Sequence, residues 1–149
     1  LLLFARQWSL NHSDAEDAVQ NGFVRFWRAR GAHARNDELP YLYSSVRGAA
    51  MDIGRSRRRR EAHERRASRH EPSGFDVPVE RAERAAMIES ALAQLPGDQR
   101  EVVVMKIWGG LTFAEVAQVL NASPNTIASR YRYALTRLEA DLSEELLHD

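Results

Sequence analysis

Between Leu111 and Leu142 apolar and polar positions alternate with helical period and break once. Thr112, followed three positions later by Glu115, has the spacing of a capping box, in which a hydroxyl and a carboxylate each take one free amide at a helix start. The pattern predicts a helix from Phe113 to Leu120 with Val116, Ala117 and Leu120 on one side, Ala117 being small where a second helix must cross. Asn121 stands at the corner, and asparagine tolerates the left-handed backbone of such a turn better than most residues. Ser123-Pro124 opens the next helix, the serine as N-cap and the proline at the first helical position, where its missing N–H costs nothing. Ile127, Tyr131, Leu135, Leu138 and Leu142 then recur at steps of four, four, three and four, which predicts a buried stripe. The opposite side presents Asn125, Thr126, Ser129, Arg130, Arg132 and Arg137, whose groups can bond phosphates and base edges. Two short helices about such a corner form a helix-turn-helix, and the order of these signals points to DNA binding.

The remainder of the chain is also patterned for helix. Leu1, Phe4 and Trp8 give a short stripe up to Leu10, broken at Asn11-His12. Ser13 with Glu16 repeats the capping-box spacing, and Asp14, Glu16 and Asp17 crowd the first turn of a helix predicted to run to Arg30 and stop at Gly31. Val19, Phe23, Phe26 and Trp27 are expected as its inner face, with Asp17, Gln20, Asn21, Arg25 and Arg28 outside. A polar loop from Gly31 to Leu39 leads to Pro40 and to a helix from Tyr41 to about Arg60, whose weaker stripe is Tyr41, Leu42, Ser45, Ala49, Met51 or Asp52, and Ile53. Its end carries five arginines within six positions, Arg55 and Arg57 to Arg60. Like charges this dense repel unless something anionic meets them, so nucleic-acid backbone contact is expected there. Residues 61–79 lose the hydrophobic period, gather Pro72, Ser73, Gly74 and Pro78, and read as a flexible linker. A helix from about Glu80 to Gln94 follows, with Ile88, Leu92 and Leu95 inward. Asp98 with Glu101 suggests a third capping box, and the helix after it closes at Gly109-Gly110, with Val102, Val103, Met105 and Ile107 behind the helix-turn-helix. The expectation is an all-α chain of two small helical domains, 1–60 and 80–149, the second a four-helix unit.

Composition narrows the function. The 149 residues carry no net formal charge, yet residues 1–70 hold 14 arginines against 8 acids while residues 71–149 hold 7 basic groups against 13 acids. The first half is therefore the more evident polyanion partner. The absence of cysteine removes disulfides, thiol nucleophiles and cysteine-ligated zinc, and fits a reducing cytoplasm. No apolar run approaches membrane-spanning length, so membrane insertion is not expected. The chain opens on Leu1, without methionine and in what reads as mid-helix, so its first residues are expected to be missing.

Three stretches in order, residues 14–30, 41–60 and 91–142, resemble the two domains of an extracytoplasmic function sigma factor, the small promoter-recognition subunits of bacterial RNA polymerase. The resemblance implies that Asp17, Gln20, Asn21 and Arg25 dock on a coiled coil of the largest subunit of core RNA polymerase. It implies that Arg47, Asp52, Arg55, Arg57, Arg58, Arg59 and Arg60 meet the minus-ten element of promoter DNA, where a base is held flipped from its stack. Gly48 stands where relatives often carry asparagine. Ser123, Asn125, Thr126, Ser129, Arg130 and Arg132 would face the minus-thirty-five element, with the linker running near the active centre. Family members are commonly held by an anti-sigma factor, which adds one further partner. No cofactor is implied.

Two other classes compete. A stand-alone helix-turn-helix regulator explains residues 111–142 but leaves the acidic helix start and the arginine run without purpose. An enzyme, such as a carboxylate-dependent nuclease, would need grouped ligands; His12, His33, His63, His70 and His148 are scattered without metal-ligand spacing, and helix-start acids are commonly dipole partners.

Overall fold

The computed structural model describes residues 1–29, 37–63 and 79–148. Among these there are seven helices and no strand: α1 (Leu2–Ala5), α2 (His12–Ala29), α3 (Glu38–His63), α4 (Val79–Gln94), α5 (Gly97–Ile107), α6 (Phe113–Leu120) and α7 (Pro124–His148). The all-α expectation holds. The predicted loop falls largely, and the linker almost wholly, outside the described residues. The helices before residue 64 belong to one compact unit, and those after residue 78, apart from the end of α6 at residues 118–120, are the framework of a second.

In the first unit α2 packs along α3, and the close approach is set by small side chains. Ala15 and Ala18 are fully buried, and a Cβ added at Gly22 would lie 2.4 Å from Val46 Cγ2. Only glycine lets the two helices come this near at that level. The helix therefore turns its small residues inward, against the expected inner face: Trp27 is 67% exposed and Phe23 46%. Of the expected stripe of α3, Ser45 and Ala49 are buried, while Tyr41, Leu42, Met51, Asp52 and Ile53 are not, and Pro40, Tyr43, Val46 and Ala50 complete the buried side. Pro40 sits inside the first turn rather than before it, where the amides have no helical acceptor to lose. α1 is a single turn. It plugs the unit with Phe4, which is fully buried and meets Trp8 and Tyr43 edge-on at centroid distances of 4.8 and 5.0 Å. The start of α2 is capped by Asn11, whose Oδ1 accepts from the Asp14 amide at 2.8 Å, and not by Ser13; Glu16 instead pairs with His12 at 3.0 Å.

In the second unit the capping box at α6 forms as expected. The Thr112 amide donates to Glu115 Oε2 at 2.7 Å, and the Glu115 amide to Thr112 Oγ1 at 3.1 Å. Asn121 adopts φ 50, in the left-handed region, and the Thr126 amide donates to the N-cap Ser123 Oγ at 3.2 Å. The third box does not form around Asp98, because α5 begins at Gly97 with Pro96 at the N-cap position. α5 ends with Gly110 at φ 67, where the Gly109 amide reaches Val104 O and the Leu111 amide reaches Met105 O. Val102, Val103, Met105, Leu111, Val116 and Ile127 make the core, with Leu92 and Leu95 of the α4 end. Ile88 and Ile107 are exposed, and the buried line of α7 passes through Ala134 rather than Leu135. Ile88, Ile107 and Leu135 join Trp108, Leu138 and Leu142 around an apolar groove of about 420 Å³.

Candidate nucleic-acid and protein-docking surfaces

The α2 surface divides by helical phase. Asp17, Gln20 and Asn21 are exposed on the same side as Phe23, Val24 and Trp27, so polar and apolar groups share one outward face. Phe23, Val24, Trp27 and Arg28 line a shallow surface depression. Sequence reasoning assigned the two aromatics to the core. The signal against that was present in Ala15, Ala18 and Gly22, which repeat at steps of three and four and define the contacting stripe.

Arg25 leaves that face. Its Nη2 donates to Asp52 Oδ2 at 2.8 Å, and the other Asp52 oxygen accepts from Arg55. These two guanidiniums hold the Asp52 carboxyl below its ordinary value, the Arg25 hydrogen bond being the larger cause. Gly48 precedes Asp52 by one turn, and a Cβ there would meet Arg25 Nη1 at 3.3 Å. The missing side chain leaves room for Arg25 to cross. One expected polymerase contact and two expected DNA contacts are thus gathered into a single ion-pair cluster between α2 and α3.

The arginine run is also partitioned. Arg57 Nη2 donates to Asp14 Oδ1 at 2.7 Å, and Asp14 is 6% exposed. Arg57 therefore neutralises a buried carboxylate, while Arg58, Arg59 and Arg60 are exposed. Arg59 and Arg60 share a polar hollow with Ser56 and His63. Arg47 lies over the Trp8 ring, 5.7 Å from its centroid.

On α7, Asn125, Thr126 and Arg132 are exposed and Ser129 is half-buried. The Ser123 and Thr126 hydroxyls lie 2.8 Å apart, so each is partly engaged at the cap. Arg130 is half-buried and forms an ion pair with Asp98, Nε to Oδ2 3.2 Å. Among the described residues no group of three His, Cys, Asp or Glu could hold a metal ion, and no helix is long and apolar enough to cross a membrane.

Comparison with known families places Sigma-70 region 2 on residues 1–60 and Sigma-70 region 4 on residues 85–138. The ECF RNA polymerase sigma factor SigL of Mycobacterium tuberculosis is 30% identical over 145 residues, covering 89% of this chain and 76% of that protein. The chain belongs to the ECF sigma factor family. SigK of Mycobacterium sp. (strain KMS), also an ECF sigma factor, is 27% identical to this sigma factor over 135 residues, covering 84% of this chain and 68% of SigK. SigM of Mycobacterium tuberculosis is 28% identical over 141 residues, covering 90% and 67% respectively. The fold matches that of the sigma factor RpoE from Bartonella quintana, solved with the anti-sigma factor NepR, at a TM-score of 0.72 and 23% identity, over 95% of this sigma factor and 89% of that chain.

Proposed function

We propose that this sigma factor binds core RNA polymerase, directs it to promoters and assists DNA opening at initiation. The observation that carries the reading is the occurrence of regions 2 and 4 in order on one chain, each coinciding with a patterned surface. In this reading residues 1–60 dock on polymerase and hold the minus-ten element, residues 61–79 link, and residues 80–149 hold the minus-thirty-five element.

The docking face is Asp17, Gln20 and Asn21, extended by Phe23 and Trp27. An apolar patch flanked by polar groups is the usual make-up of a protein-binding surface. Arg25 supports that face from the side through Asp52. Arg58, Arg59 and Arg60 supply sequence-independent attraction to DNA backbone, Arg47 and Arg55 flank the minus-ten strand, and Arg57 acts through the fold. Ser123, Asn125, Thr126, Ser129, Arg130 and Arg132 meet the minus-thirty-five duplex, α7 lying in the major groove. The chain's own groups bind and orient DNA and catalyse no bond change, and its place of action is the cytoplasm, with polymerase. The Bartonella neighbour was solved with an anti-sigma factor, which supports a partner of that kind for this chain. Substituting Asp17 and Gln20 together by alanine tests the docking assignment: association with core enzyme is expected to weaken with no loss of fold, and an unaffected pull-down contradicts it.

A further inference from the structure

The C-terminal unit carries an ion pair that the functional reading leaves without a role. Arg130 Nε lies 3.2 Å from Asp98 Oδ2 in an ion pair, and Asp98 Oδ1 accepts from the Gln99 amide at 3.0 Å. One carboxylate oxygen is held by a backbone amide, which leaves the other facing Arg130. The backbone beneath it is fixed as well. Arg100 Nε donates to Leu92 O at 2.7 Å, and its Nη2 donates to Ala93 O and Leu95 O, both at 2.9 Å. Those carbonyls belong to the end of α4 and the residue after it, and Leu92 O also accepts from the Leu95 amide at 3.2 Å, so one guanidinium clamps the α4–α5 corner on which Asp98 stands.

Arginine has five N–H donors in a rigid plane, and occupation of Nε leaves the four on Nη1 and Nη2. Arg130 follows Thr126 by four positions, so both lie on one flank of α7, between the buried line of Ile127 and Ala134 and the outward face of Asn125, Ser129 and Arg132. A flank residue on a helix laid in the major groove meets the sugar-phosphate backbone, and the Nη edge matches a phosphate. As a stability device an exposed ion pair contributes little. By charge alone, an acid at this end of the unit opposes DNA.

We infer that Asp98 is a positioning residue: by holding Nε it turns the Nη edge of Arg130 onto a single phosphate of the DNA backbone. The inference rests on the reading of α7 as the DNA-facing helix. It also sets the sign of an effect. If Asp98 mattered only through its charge, its removal would strengthen binding; if it aims Arg130, its removal weakens binding although a negative charge has gone.

The test uses the full chain assembled with core polymerase, and a duplex chosen by the unmodified holoenzyme from a random promoter library, in a salt series. Asp98→Ala is expected to weaken binding about fivefold. Arg130→Ala is expected to weaken it at least as much and to lower the salt dependence by about one phosphate contact. The double variant is expected to be no weaker than Arg130→Ala, and Asp98→Asn, which keeps an acceptor for Nε, to fall between the unmodified protein and Asp98→Ala. Unchanged or tighter binding by Asp98→Ala, while Arg130→Ala weakens, overturns the positioning role and leaves the α7 reading intact. An Arg130→Ala loss confined to one base pair, with the salt slope unchanged, overturns the phosphate in favour of a base edge. A melting temperature that falls in step with affinity reduces the pair to a structural tie and also overturns the inference. Arg130→Ala without effect overturns both it and the α7 reading.

Discussion

Arg57 reaches Asp14 at 2.7 Å, tying the arginine-rich end of α3 to the first turn of α2. The second Asp14 oxygen is buried and has no hydrogen-bond partner. Arg57 is thus the cation that makes a buried carboxylate tolerable. Removing it leaves that charge uncompensated, a change that costs about 2–4 kcal/mol when the surviving partner is desolvated.

Arg57→Ala is accordingly expected to lower the stability of the N-terminal unit by about 2–3 kcal/mol in urea unfolding, against about 0.5 kcal/mol or less for Arg59→Ala at an exposed position. Equal effects of the two would contradict the partition of the run.

Gly22→Ala sets two effects in opposition. Alanine favours a helix by about 1 kcal/mol over glycine. The new Cβ, however, would stand 2.7 Å from Val46 Cα, which is backbone and can move only if α3 moves. Overpacking of this kind costs about 1–3 kcal/mol, so a lower melting temperature is expected. A rise would mean that α2 and α3 are not held this close.

Much of the C-terminal unit was legible in the sequence because its helix ends are chemically specified. Thr112 with Glu115, Asn121, and Ser123-Pro124 each satisfy a local backbone demand, and local demands are written locally. The faces of α2 and α3 were not legible in the same way. Which side of α2 turns inward is decided by how near Val46 can come to Gly22, a relation between positions 24 apart in the chain. Bulk alone points to burial for Phe23 and Trp27, and the close approach at Gly22 overrides it. The arginine run forms one block in the sequence, whereas its members point in different directions from a helix and only Arg57 meets Asp14. The spacing of Asp98 and Glu101 suggests a cap, but the N-cap lies two positions earlier, at Pro96, which places Asp98 inside the helix and its side chain beside Arg130.

Phe23 and Trp27 separate docking from folding. Because both are exposed, Phe23→Ala and Trp27→Ala are expected to shift the melting temperature little while weakening capture of core polymerase about tenfold or more, as large aromatics central to an interface commonly do. Unchanged capture with lowered stability would return these residues to a packing role.

The Asp52 cluster gives a pH dependence of definite sign. The folded carboxyl is held below its ordinary value by Arg25 and then Arg55, so the unfolded chain takes up this proton more readily than the folded one. The stabilisation is present above the ordinary carboxylate range, at about pH 4, and is lost as pH falls through the lower folded value. The melting temperature of the N-terminal unit is expected to drop less steeply below about pH 4 in Asp52→Asn than in the unmodified protein. Parallel acid limbs would show that the cluster does not persist in solution.

The central claim is that this chain confers promoter choice on a polymerase it must first join. Run-off transcription with purified core enzyme over a promoter library tests it most directly. Added chain is expected to produce discrete transcripts whose templates share two sequence elements upstream of the start, with little specific DNA binding by the chain alone. No chain-dependent transcripts, or tight sequence-specific binding without polymerase, would contradict it.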